Sequence, residues 1–199
     1  MDTRDSAVSL REVGHADVAE MTAMMVRNRA DVERVGPANA DAFFTEAGMT
    51  RRIDEVIDES ARGLRRHWTI RVDGVLAGDI ALSHIQRGAL QNANVGYMVD
   101  AAFRGRGVAT AAVRLAAERA FGEVGLHRLE AGVMPSNVAS QRVLERAGFT
   151  RVGTTRSLLF IAGRWEDHIL YELVGPDTPP PMTSAPEPAA TSPGGEASG

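Results

Sequence analysis

The stretch Asp100-Ala-Ala-Phe-Arg-Gly-Arg-Gly-Val-Ala-Thr-Ala-Ala-Val113 decides how this chain is read. An apolar, strand-like run, Val95-Gly-Tyr-Met-Val99, ends just before it, and an Ala-rich helical run begins inside it. Between them lies Arg104-Gly-Arg-Gly-Val-Ala109, a loop whose glycines let the backbone approach a bulky anion. The first turn of a helix carries N–H groups without intrahelical partners, and the helix dipole favours negative charge there. With Arg104 and Arg106 flanking that turn, the simplest ligand is a pyrophosphate.

Known phosphate loops differ in spacing. A nucleoside-triphosphate loop closes on Gly-Lys-Ser/Thr, and this chain has no lysine: its 22 basic residues are all arginine. A dinucleotide fold places Gly-x-Gly-x-x-Gly directly after its strand. Here Thr110 stands where the third glycine belongs, so the spacing fails even if Glu130 is cast as the ribose-binding acid.

Arg104-x-x-Gly107-x-Ala109 instead matches the Gln/Arg-x-x-Gly-x-Gly/Ala pattern of an acyl-CoA site. A second block, Pro135-Ser-Asn-Val-Ala-Ser-Gln-Arg-Val-Leu-Glu-Arg-Ala-Gly-Phe149, contains Asn137-x-x-Ser140-x-x-x-Leu144-x-x-x-Gly148-Phe149. In this order the two blocks resemble the GNAT N-acetyltransferase superfamily, and within it the RimJ/RimL branch that acetylates ribosomal-protein N-termini. The ending Trp165-Glu-Asp167…Tyr171 resembles the same branch.

The resemblance implies an α/β (α+β) GNAT fold. Its sheet is mixed and mostly antiparallel, with six to seven strands, a central parallel pair that splays, and about four flanking helices. It implies acetyl-CoA as co-substrate and no metal. It assigns cofactor contacts to Met98, Val99, Arg104, Gly105, Arg106, Gly107, Val108, Ala109, Thr110 and Asn137. Ser140 is the implied proton donor to the cofactor sulfur, and Leu144 excludes the variant that uses a tyrosine there.

A general base is harder to find. Relatives carry Glu two residues before Gly96-Tyr97; this chain has Asn94. Ser157-Leu-Leu-Phe160 has no carboxylate either, which leaves Glu130 as the second candidate catalytic residue. His84 and His168, both on strands, read as surface or core residues. An α-amine is roughly 10–20% neutral at pH 7 and a lysine amine about 0.04%, a gap of roughly 3.5 kcal/mol. The missing carboxylates therefore favour an N-terminal α-amine, or a similarly weakly basic small amine, over a lysine side chain, with a protein N-terminus as the first reading. A small-molecule amine (antibiotic, polyamine or amino-acid derivative) and a non-catalytic CoA-binding module are the alternatives.

Bulk properties agree with a globular enzyme. The 199 residues suffice for one domain, and 44% hydrophobic with 24% charged residues is ordinary. Without cysteine there is no disulfide, no thiolate metal site and no acetyl-cysteine intermediate. No membrane span or signal peptide is visible, which suggests a cytoplasmic protein. Of the net charge of −4, Asp177, Glu187 and Glu196 contribute −3, so the rest is near neutral and is not expected to bind nucleic acid. A monomer or a homodimer is expected.

Local signals give the element order. Residues 8–13 read as a strand, and residues 15–29 as a helix whose methionines fill core. Gly36-Pro-Ala-Asn39 breaks that helix, and Thr50 is a candidate cap for the next. Asp73-Gly74 and Ala162-Gly163 mark hairpins. Gly148 is placed to end the helix over 137–147. A domain over 1–174 is followed by a tail, 175–199, that holds seven of the nine prolines and is expected to be disordered.

Overall fold

Period-two alternation of apolar side chains builds a single sheet of seven strands, ordered β1-β2-β3-β4-β5-β7-β6. The computed structural model describes residues 7–35 and 40–177. The strands are β1 (Val8–Glu12), β2 (Arg66–Val72), β3 (Val75–Gln86), β4 (Asn92–Val99), β5 (Arg128–Val133), β6 (Thr150–Ile161) and β7 (Arg164–Val174). Five helices accompany them: α1 (Val18–Arg27), α2 (Arg29–Val35), α3 (Glu46–Ala61), α4 (Val108–Gly122) and α5 (Val138–Ala147). This is the expected mixed architecture.

Among the described strands only β4 and β5 run parallel, and they pair at just three positions: Asn92 with Arg128, Ala93 with Leu129, and Asn94 with Glu130. Beyond Asn94, β4 stays with β3 as far as Val99, while β5 follows β7 to Val133. A wedge opens between them.

Each face of the sheet has its own core. Helix α4 packs on one face through Ala112, Ala116 and Ala120, all fully buried against Trp68, Ile70 and Ile80. Small side chains let the helix axis come close to the sheet. Helix α5 covers the same face, with Leu144 buried and Glu145 accepting a 3.2 Å hydrogen bond from the Tyr171 hydroxyl. On the other face Met21, Met24, Met25, Met49 and Ile53 bury against Leu76, with Met98 packed beside them, so the methionines are core.

Both predicted hairpins form. Asp73 and Gly74 have φ of 49° and 84°, and Ala162 and Gly163 have the same two values, the doubly left-handed turn that joins right-twisted strands. Gly148 ends α5 at φ 100°. Three expectations shift. The helix over 15–29 is a short 3-10 turn followed by α1, and it breaks at Asn28, whose side chain donates to the Met24 carbonyl. The cap of α3 is Thr45, which accepts from the Gly48 N–H at 3.1 Å; Thr50 lies inside the helix and bonds back to the Glu46 carbonyl. Gly175 and Pro176, expected in the tail, are bonded to His127. The break expected at 36–39, and the rest of the tail from 178, lie outside the described residues.

Gly78 holds β3 close to β4: a Cβ there would sit 2.2 Å from the Met98 carbonyl oxygen. We predict that Gly78→Ala pushes β4 off its register. In urea unfolding it should cost about 3 kcal/mol, the upper end for an overpacked site.

Candidate active site

Two side chains face each other across the wedge. Tyr97 projects from β4 on the α4–α5 face, and its hydroxyl lies 2.8 Å from Ser140 Oγ on α5. The same hydroxyl is 3.3 Å from the Ser140 carbonyl. Its one proton has two destinations. Given to the carbonyl, it leaves Ser140 donating to Tyr97; given to Oγ, it frees the Ser140 proton to point at a ligand. Burial pushes the Tyr97 phenol up to about 12 against the opposing hydrogen bond from Ser140, so it stays protonated at neutral pH.

Asn137 caps α5, its Oδ1 accepting from the Ser140 N–H at 3.1 Å. That bond fixes the helix start and with it the Ser140 side chain. The Asn137 amide nitrogen is left without a protein partner among the described residues. Tyr97, Gly132, Asn137, Ser140, Leu144 and His168 together line a cavity of about 210 Å³ in the wedge. Met98 and Val99 continue the β4 edge beyond the last β5 pair.

At the end of β4 the chain makes a 3-10 turn (Ala101–Phe103) and reaches α4 through Gly105 and Gly107, at φ of 73° and 79°. Side chains other than glycine are strained in that region. Gly107 caps α4 without any side-chain hydrogen bond, and the first intrahelical bond is from Ala111 N–H to the Gly107 carbonyl. The N–H groups of Val108, Ala109 and Thr110 therefore have no helical acceptor. These features fit a diphosphate at the helix start and an extended arm along the wedge.

The two loop arginines are placed differently from each other. Arg104 is turned back: its Nε donates to the Val99 carbonyl at 3.0 Å and its Nη1 meets Asp31 at 2.6 Å. That contact, with Arg34 behind it, holds the Asp31 carboxyl below its ordinary value. Arg106 is exposed, with its guanidinium 5.6 Å from the Phe103 ring centre.

Glu130 is not brought into the cavity. It stands at the last β4–β5 pair, partly exposed, with Oε1 2.8 Å from Arg128 Nε. Asp79, on β3 beside Met98, is also committed. Burial raises its carboxyl, but the His67 hydrogen bond at 2.8 Å and the charges of Arg52 and Arg65 outweigh that and hold it below its ordinary value. The cavity lining contains no carboxylate. Tyr97 and His168 were missing from the expected site. For Tyr97 the signal was its place beside Gly96 in the last strand before the phosphate loop. Among the described residues no group of three or more acidic, His or Cys side chains is arranged to hold a metal, and no helix is long and apolar enough to cross a membrane.

Residues 8–150 match the Acetyltransferase (GNAT) domain model. The chain belongs to the GNAT acetyltransferase family. The Bacillus subtilis (strain 168) protein named Probable N-acetyltransferase YjcK is 39% identical over 176 residues, 87% of this chain and 97% of that one. Ribosomal-protein-S5-alanine acetyltransferase from Vibrio fischeri superposes with a TM-score of 0.81 at 28% identity, covering 87% of this chain and 96% of the other. Mycobacterium smegmatis RimJ, solved in complex with CoA-disulfide, gives 0.80 at 29% identity, covering 85% and 82%. As a GNAT protein the chain is an N-acetyltransferase, and its splayed β4–β5 wedge lies between the two motif blocks that carried the resemblance.

The two tyrosines of the GNAT chain are Tyr97 and Tyr171. Burial and the Glu145 carboxylate raise Tyr171 as well. In an alkaline absorbance titration the native protein should show no phenolate step at the ordinary value of about 10. Tyr97→Phe should remove the step near 12. The folded value of Tyr97 lies above the unfolded one, so its contribution to stability should be intact below about pH 10 and be lost as pH rises through about 12.

Proposed function

We propose that this GNAT protein transfers the acetyl group of acetyl-CoA to the α-amine of a protein N-terminus, of the ribosomal-protein kind, in the cytoplasm. The observation that carries this reading is a cavity lined by hydroxyls, an amide and an imidazole with no carboxylate. Such a lining suits an acceptor that is already partly neutral at pH 7, which an α-amine is and a lysine side chain is not. The likeness to an enzyme named for ribosomal protein S5 alanine supports the same acceptor class.

The residues divide the work. The free N–H groups of Val108, Ala109 and Thr110, reached through Gly105 and Gly107, hold the diphosphate. Arg106 adds charge from solvent, and Arg104 anchors the loop from behind. The open edge at Met98 and Val99 pairs with the amides of the pantetheine arm, and the free Asn137 amide nitrogen adds a donor. Acetyl-CoA supplies the activated acyl group. Ser140 gives its proton to the departing sulfur, and the Tyr97 hydroxyl, within 2.8 Å, restores it. Glu130, paired with Arg128, stays at the closed end of the wedge and takes no proton.

Two measurements test this. Matched peptides, one with a free N-terminus and one with only a free lysine, should differ in turnover by about 10²-fold in favour of the first. Faster transfer to lysine refutes the acceptor, and no thiol release with any amine refutes catalysis. Ser140→Ala should lower kcat about 10²-fold with little change in KM for acetyl-CoA, because the Asn137 cap bonds the backbone of residue 140 and survives.

A further inference from the structure

We propose that His168 is the proton acceptor that neutralises the incoming amine; this inference rests on the acetyl-transfer reading above and supplies the base that reading lacks. His168 lies on β7 and is 3% exposed. Its neighbours Ile169 and Tyr171 bury toward α5, so by strand alternation His168 stands on the opposite face, next to Gly132 of β5. It lines the same cavity as Ser140 and Tyr97. The wedge thus has two hydroxyls on one side and an imidazole on the other.

The tautomer follows from one contact. Nδ1 lies 3.1 Å from the Glu166 carbonyl oxygen. A carbonyl only accepts, so Nδ1 carries the proton and the neutral ring keeps its lone pair on Nε2. No protein group bonds Nε2 among the described residues. Every carboxylate described near the wedge is engaged: Glu130 with Arg128, Asp79 with His67, Asp100 with Arg27. Among the described residues His168 is therefore the one cavity-lining side chain with an unengaged ring-nitrogen lone pair.

The groups around His168 are largely neutral. Thr155 faces it from β6, Gly132 from β5, and Tyr97 and Ser140 from across the wedge. Charged neighbours are Arg128, Glu130 and Glu172 further along the same sheet face, linked as ion pairs through Arg128, and Glu166 and Asp167 on β7 itself. Asp167 is turned to β6, accepting from the Ser157 N–H at 2.8 Å. Arg156 sits in the β6 irregularity opposite and is exposed.

The protons balance. An acceptor ammonium gives one proton to Nε2, and the neutral nitrogen forms the N–C bond to the acetyl carbon. The C–S bond breaks, the sulfur gains a proton from Ser140, Tyr97 refills Ser140, and the nitrogen's second proton refills Tyr97. His168 then releases its proton to solvent. The products are an amide, CoA thiol and one proton.

The test is kcat/KM against pH for wild type and His168→Gln, from about pH 6 to about pH 9.5, with the best amine acceptor. Glutamine fills the place of Nε2 with an amide that cannot accept a proton at these pH values. With an α-amine acceptor the variant should lose roughly 5–10-fold at neutral pH, the inverse of the neutral fraction, and recover as the amine becomes neutral on its own, with CoA affinity by calorimetry unchanged within about 3-fold. His168→Ala, in case glutamine perturbs the strand, should regain activity with added imidazole. A wild-type-to-variant ratio that stays flat with pH, or absence of imidazole rescue, overturns the assignment. The choice between lysine and N-terminal peptides is read separately on the wild type, so a wrong acceptor and a wrong base give different results.

Discussion

The short pairing between β4 and β5 is the constraint on which the site depends. Three register pairs hold the two strands together at one end, and each then follows a different antiparallel partner. The resulting gap leaves backbone donors and acceptors of both strands without a sheet neighbour. A buried polar group left unpaired costs roughly 1–3 kcal/mol. A fold retains such a gap when something else pairs those groups, and an extended amide-bearing arm has the right chemistry. Helix α5 closes one side with Leu144 and brings Ser140 to the β4 side chain of Tyr97. Splaying and the proposed catalysis are therefore one feature: a fully zipped sheet would leave Ser140 facing a closed surface.

The phosphate loop is also tied to the opposite layer. Arg27 meets Asp100 at 2.7 Å, Asn28 accepts from the Ala101 N–H at 2.9 Å, and Asp31 meets Arg104 at 2.6 Å. These three successive contacts come from the end of α1, the break after it and α2. Burial pushes the Asp100 carboxyl up, but the Arg27 hydrogen bond and the Ala102 N–H outweigh it and hold it below its ordinary value. Asn28 is 4% exposed and bonds on both sides, to the Met24 carbonyl and to the loop. The helix break is thus a connector. It couples the position of the turn at Gly105 and Gly107 to helices on the sheet face opposite α4, and it explains why Arg104 points backward rather than into the turn.

The features written in local residues were legible from the chain. Two hairpins with left-handed turn residues, the Gly107 helix start, the Ala-rich face of α4 and the Gly148 stop all depend on neighbours a few positions away. The Asn137 cap and the Ser140 face follow from one turn of helix. What was not legible depends on distant partners. Asn28 reads as an ordinary helix residue until Ala101, 73 positions away, is beside it. Thr50 reads as a cap because the preceding 3-10 turn (Ala40–Phe44), which hands the cap to Thr45, has no strong pattern of its own. Tyr97 and Ser140 are 43 residues apart. His168 gains meaning only from the β5–β7 register and from the wedge. Glu130 is the converse: Arg128 two positions earlier shares its strand face, so its neutralisation was readable in advance.

The chemistry of the lining also bears on which amines reach the acetyl group. A carboxylate in the cavity would hold an ammonium as an ion pair and make loss of its proton harder, which is the wrong direction for nucleophilic attack. In the reading proposed above, an ammonium finds no counter-ion in the lining and meets only the Nε2 lone pair of His168. Keeping Tyr97 protonated serves the same end, because a phenolate opposite the amine would act as a trapping anion. Arginine-only basic composition completes the pattern. Within these 199 residues no side chain carries an aliphatic amine, so none competes with the acceptor for the acyl group. Guanidinium groups stay protonated and supply charge for ion pairs and for the phosphate turn without becoming nucleophiles. In the proposed reading, selectivity for a weakly basic amine over lysine rests on what the wedge leaves out as much as on the hydroxyls and imidazole it contains.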